Sequence, residues 1–117
     1  MDNLIETKSF HFAVRILNLC RHLQNTKKEY IISKQLARSG TSIGANITEA
    51  QQAQSRADFI SKMSIALKEA VESNYWLRLL QATGYTSEQE HISILEDCKE
   101  LERLLTSILN STKSNHI

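Results

Sequence analysis

No proline occurs anywhere in this chain, and only three of its 117 residues are glycine. Nothing removes a backbone donor or drives a ring into the carbonyl four residues back, so long unbroken helices are open to it; a turn-rich β sandwich needs the opposite punctuation. Hydrophobic residues at 41% and charged residues at 23% match ordinary globular usage. A chain of this length buries roughly two thirds of its unfolded surface around one core without staples. The expectation is a single soluble all-α domain spanning 1–117.

Apolar periodicity divides the chain into four helices at about 8–25, 30–52, 56–83 and 87–111. Thr7 or Ser9 is the expected cap of the first. Phe10, Ala13, Leu17 and Cys20 form one apolar row on it, and Phe12, Ile16, Leu19 and Leu23 another. Only His11, Arg15, Asn18 and His22 form a polar strip. A helix apolar over most of its circumference needs more cover than one small bundle supplies, so self-association is expected, with Phe12 and Leu19 as outward-facing positions. The second helix carries Ile32, Leu36, Gly40, Ile43, Ile47 and Ala50 along one seam. Gly40 and Gly44 each sacrifice up to about 1 kcal/mol of helix propensity, which close approach of a neighbouring helix would offset. Ser55 with Asp58, and Ser87 with Glu90, have capping-box spacing, and Gly84 suits a left-handed helix end. The third seam runs through Phe59, Met63, Ala66, Ala70, Leu77 and Leu80; the fourth through Ile94, Cys98, Leu101, Leu105 and Ile108. Ser111–Ile117 is polar and expected to fray. Short connections make consecutive helices antiparallel, giving an up-and-down four-helix bundle.

Catalysis needs a nucleophile held by a base, paired carboxylates across a cleft, or convergent metal ligands, and no such motif is visible. His11, His22 and His91 are spread along the chain. Cys20 and Cys98 lie inside apolar helical patterns without ligand spacing and read as reduced core thiols. No catalytic residue, cofactor or metal ligand is assigned, and the reading is of a non-enzyme. No apolar run approaches the roughly 20 residues needed to cross a bilayer, and no leader pattern begins the chain, so a cytoplasmic protein without membrane contact is expected.

The formal net charge of +1 hides an asymmetry of +4 over residues 1–78 and −3 over 79–117. Lys27, Lys28, Lys34, Arg38, Arg56 and Lys62, most of them at or near the ends of the second and third helices, are the candidates for a phosphate backbone. A ring of subunits would multiply them into a basic band. Arg38, Ser42, Asn46 and Glu49, at steps of four, four and three, share one face beside the apolar seam. The commonplace reading is a hydrogen-bonded polar seam with Glu49 paired to Arg38 or Arg56; the alternative is a functional groove. Tyr75, Trp76 and Tyr85 are candidates for base stacking, though their spacing suits core packing better.

Arg38-Ser-Gly-Thr-Ser42-Ile43-Gly-Ala-Asn46-Ile47-Thr-Glu49-Ala50, followed by Ser55-Arg56-Ala-Asp58-Phe59, Ser64-Ile65-Ala66-Leu67 with Glu72 and Tyr75, and Gly84-Tyr85, resembles the bacterial four-helix-bundle family named for open reading frames in intervening sequences of 23S ribosomal RNA genes. Ala50 stands where many relatives carry glycine, and Gly44 where many carry proline or another small residue. The resemblance implies a ring-shaped homopentamer. A similar protein is the accessory subunit of a diversity-generating retroelement, binding nucleic acid and a reverse transcriptase. The functional expectation is therefore a non-enzymatic oligomer binding RNA or DNA through its basic residues; the alternative is a protein–protein scaffold or adaptor with no nucleic-acid role.

Overall fold

The structure, a computed structural model, describes residues 3–114, and among them all regular structure is helical: α1 (Leu4–Asn25), α2 (Ile32–Ala50), α3 (Arg56–Ala82) and α4 (Glu88–Ser114). Helix α1 starts a turn earlier than expected. The side-chain oxygen of Asn3 accepts from the N–H of Glu6 at 3.2 Å, so neither Thr7 nor Ser9 is the cap. Ser9 is buried and donates to the Glu6 carbonyl. The extra turn has a reason in packing, because it carries Ile5 into the core.

The other termini follow local hydrogen-bond chemistry. Ser55 Oγ accepts from the Asp58 N–H at 3.0 Å, while the Asp58 carboxylate reaches back to the Gln54 N–H. Ser87 and Glu90 exchange both bonds of a capping box, at 3.2 and 3.1 Å. Helix α3 ends as the glycine requires: Gly84 takes φ +85°, its N–H reaches the Gln81 carbonyl, and the Tyr85 N–H reaches that of Leu80. Helix α4 continues to Ser114, so the expected fraying does not begin at Ser111; residues 115–117 lie outside the described residues.

Contacts between neighbouring helices run in opposite chain directions. Asn3 bonds Gln51 and Cys20 bonds the Ser33 carbonyl; Ser39 meets Ser73 and Lys62 meets Glu49; Lys8 pairs with Glu100 and Arg15 with Asp97. The result is an antiparallel bundle, 51 Å long and 23 by 21 Å across. Phe12, Ile16 and Leu23 of α1 meet Leu36, Ile43 and Ile47 of α2, Met63, Leu77 and Leu80 of α3, and Leu101 and Leu105 of α4 in one core. Phe12 is therefore not an outward position and Leu19 is half-buried; the exposed apolar row of α1 is Phe10, Val14 and Leu17. Trp76 and Tyr85 pack against the core. Among the described residues, no helix is long and apolar enough to cross a membrane.

Candidate nucleic-acid interface

The turn between α1 and α2 is built around one buried acid. Helix α1 closes with the N–H groups of Thr26 and Lys27 on the His22 carbonyl, and the N–H of Glu29 reaches back to that of Leu23. The reversal needs a left-handed residue, and Lys28 fills the position at φ +57° without being glycine. Glu29 then turns inward. Its carboxylate accepts from the N–H groups of Ile31 at 3.1 Å, Ile32 at 2.9 Å and Ser33 at 2.7 Å, which are the orphan donors of the first turn of α2. Burial pushes this carboxyl upward, but the bonds from Ile32, Ser33 and Ile31 outweigh it and hold it below its ordinary value.

This arrangement settles the charge of the turn. Glu29 is the sole acid between Thr26 and Lys34, and its charge is spent on the backbone rather than on the surrounding lysines. Lys27, Lys28 and Lys34 are all exposed, and among the described residues none has a carboxylate partner at ion-pair distance. Lys28 Nζ donates to the Asn25 carbonyl at 2.9 Å, which places its charge at the negative end of α1. Tyr30, 48% exposed, and Ile31, 80% exposed, stand between these lysines in sequence and complete the tip.

The other cationic candidates are elsewhere and otherwise engaged. Arg38 forks across to α3, with Nη1 at 3.2 Å from Glu69 and Nη2 bonded to Glu72. Both bonds raise its pKa, and Glu72, which also accepts from the Trp76 indole N–H at 2.9 Å, is held below its usual value. Lys62 pairs with Glu49 at 2.9 Å. Glu49 thus pairs with Lys62 and not with Arg38. Eleven residues of helix separate Arg38 from Glu49 by about 16 Å, and each reaches across to α3 instead. Ser42 donates to the Arg38 carbonyl and Asn46 to that of Ser42, both within α2, so the two ends of the polar stripe bond across to α3 and its middle bonds its own helix. Arg56 opens α3 at the opposite end of the bundle and has interactions of its own.

Neither thiol is poised to react. Cys20 Sγ donates to the Ser33 carbonyl and Cys98 Sγ to that of Ala70, and burial pushes them up to about 11 and about 12, with Glu29 and Glu102 adding to the effect. Among the described residues, no three His, Cys, Asp or Glu side chains are grouped to hold a metal. A cleft of about 260 Å³ between α1 and α4 includes Arg15, His22, Thr86 and Glu90, but its Arg15 is already bound to Asp97 at 2.7 Å and Ser93 at 3.0 Å. Sequence reasoning had found Lys27, Lys28 and Lys34 but missed Tyr30 and the capping role of Glu29. The signal for the second was present: a lone acid three residues ahead of Ile32, where an apolar helical run begins.

These features define a class: an antiparallel four-helix bundle whose polar groups mostly cap helices or pair between them, with three exposed lysines at and beside one turn. The chain belongs to the family described as 23S rRNA-intervening sequence protein, whose model matches residues 1–107. It is also similar to a crystal structure from Bacteroides thetaiotaomicron of a protein with unknown function from the S23 ribosomal protein family. The two share 57% identity and a TM-score of 0.90, over 91% of this chain and 98% of that one. Comparison with curated proteins found no match.

Proposed function

We propose that this protein is a non-enzymatic, cytoplasmic homo-oligomer, a ring-shaped pentamer, that binds RNA or DNA through Lys27, Lys28 and Lys34. The observation that carries the reading is the α1–α2 turn, where three lysines lie open because the one acid among them is buried in the backbone of α2. Arg38 and Lys62, tied into the α2–α3 seam, serve the fold rather than the ligand. The oligomer is supported by Phe10, Val14 and Leu17, a solvent-facing apolar row on one helix. Three lysines are a weak site in one subunit, but cyclic symmetry repeats them and adds their salt-dependent contributions.

Light-scattering mass measured alone and with a structured RNA, at low and at physiological salt, tests both parts. The expected result is an oligomer that gains mass with RNA at low salt and releases it as salt rises. An oligomer indifferent to RNA would favour a protein scaffold, with the α1 row as its contact. A monomer would remove the ring.

A further inference from the structure

The basic turn carries more than charge. We infer, resting on the reading of this turn as a nucleic-acid site, that its ligand is single-stranded, with an unpaired base stacked on Tyr30 and flanking phosphates held by Lys27, Lys28 and Lys34. Among the described residues, Tyr30 is the one tyrosine or tryptophan with neither a ring partner nor packing on the core. Tyr75 has Trp76 at its edge and Arg78 over its face, and Trp76 and Tyr85 pack inward. Tyr30 is instead half exposed, beside an Ile31 that is four-fifths exposed. An exposed aromatic tip with lysines on either side in sequence is the composition of a stacking platform: every base has a π face to offer, while the cations follow the backbone.

Geometry selects the single strand over the duplex. Bases inside a duplex are stacked on each other and show only their edges, so a ring on a convex turn reaches a base face only where the strand is unpaired. The turn is also held in place before any ligand arrives. The Glu29 carboxylate fixes the N–H groups of Ile31, Ile32 and Ser33, and Lys28 stays in a left-handed conformation that other residue types would occupy more cheaply. Backbone strain at an exposed basic turn is the kind retained at binding sites. An anionic membrane would use the same lysines and apolar tip, but charge disfavours it. The α3–α4 turn lies at the same end of the bundle with Glu88 and Glu90 exposed, and Glu90 is near enough to Lys27 to feel its charge; a flat anionic surface would meet both acids at once, whereas a narrower strand need not.

Fluorescence anisotropy with labelled oligouridylate, a labelled RNA duplex and phosphatidylserine vesicles tests this on the full chain. Oligouridylate should bind more tightly than duplex. Tyr30→Ala should weaken oligouridylate binding about tenfold or more and leave duplex binding unchanged, and Tyr30→Phe, which keeps the ring, should bind like the wild type. Equal binding of oligouridylate by wild type and Tyr30→Ala would overturn the inference. So would equal losses in Tyr30→Ala and Tyr30→Phe, which would assign the effect to the hydroxyl, and so would binding to vesicles alone. If single strand and duplex bind equally and Lys27→Gln with Lys28→Gln weakens both, the basic site survives and the stacked base does not. If the wild type binds neither nucleic acid, both fall.

Discussion

Gly40 and Gly44 both face α1 from one stretch of α2, yet an added methyl group would meet different surroundings at each. At Gly40 the new carbon would stand 2.8 Å from Ile16 Cγ2 and 3.0 Å from Cγ1. Ile16 is fully buried and β-branched, so it has no easy rotamer to retreat to. Overpacking of this kind costs about 1–3 kcal/mol, more than the roughly 1 kcal/mol of helix propensity that alanine returns. Gly40→Ala should therefore lower stability in urea melts by up to about 2 kcal/mol. At Gly44 the nearest atom is Ser9 Oγ at 3.4 Å, at the edge of ordinary contact, and Gly44→Ala should raise stability by up to about 1 kcal/mol. Equal effects at the two positions would mean that α1 does not press on α2 as tightly as Ile16 suggests. Close approach thus offsets one of the two glycines and is not required by the other.

Helix α2 has an unusual start for an element so regular. Its Ncap residue, Ile31, has no side chain to offer, and Glu29 from outside the helix supplies the acceptors. A carboxylate held below its ordinary value stabilises the fold above that value, about pH 4.5, and the contribution disappears as pH falls through the folded-state pKa. Glu29→Gln should cost about 1–2 kcal/mol at pH 7. The difference from wild type should shrink on acidification below pH 4.5, as the native side chain becomes neutral too. Urea melts at neutral and acid pH check this, and a difference independent of pH would locate the effect in packing. Periodicity made the helices legible because each seam is a run of apolar steps of three and four, and the Ser55 and Ser87 caps and Gly84 are local signals. The start of α1 was less legible: its cap, Asn3, becomes useful only once Ile5 finds a core. Pairings across helices were not legible either. Glu49 could not be assigned to Lys62, nor Arg38 to Glu69 and Glu72, before the register of α2 on α3 was known. The same holds for the site, where the lysines could be read but their freedom from carboxylates depends on where Glu29 points.

For the whole molecule, the apolar row on α1 and the basic turn make one linked prediction. Phe10 at 66% exposure and Leu17 at 43% lie on the same face, with Val14 between them, whereas Phe12 is 2% exposed. Phe10→Glu or Leu17→Glu should leave helical circular dichroism intact while reducing light-scattering mass to that of a monomer, because a charge there is harmless to the subunit and costly in an apolar contact. Phe12→Glu, the contrasting change, should unfold the subunit by burying an unpaired charge. If Phe10→Glu retains the oligomeric mass, the contact lies on another face, such as the outer side of α3 with its exposed Val71 and Tyr75. The monomeric variant also isolates one basic turn. Each phosphate neutralised on a single strand contributes about 0.7 to the slope of log affinity against log salt, so three lysines acting alone give a slope of about −2. A ring presenting several turns to one strand should give a steeper slope, and dissociating it should bring the slope down to that single-turn value. Loss of mass with an unchanged slope would mean that each subunit already engages the strand by itself.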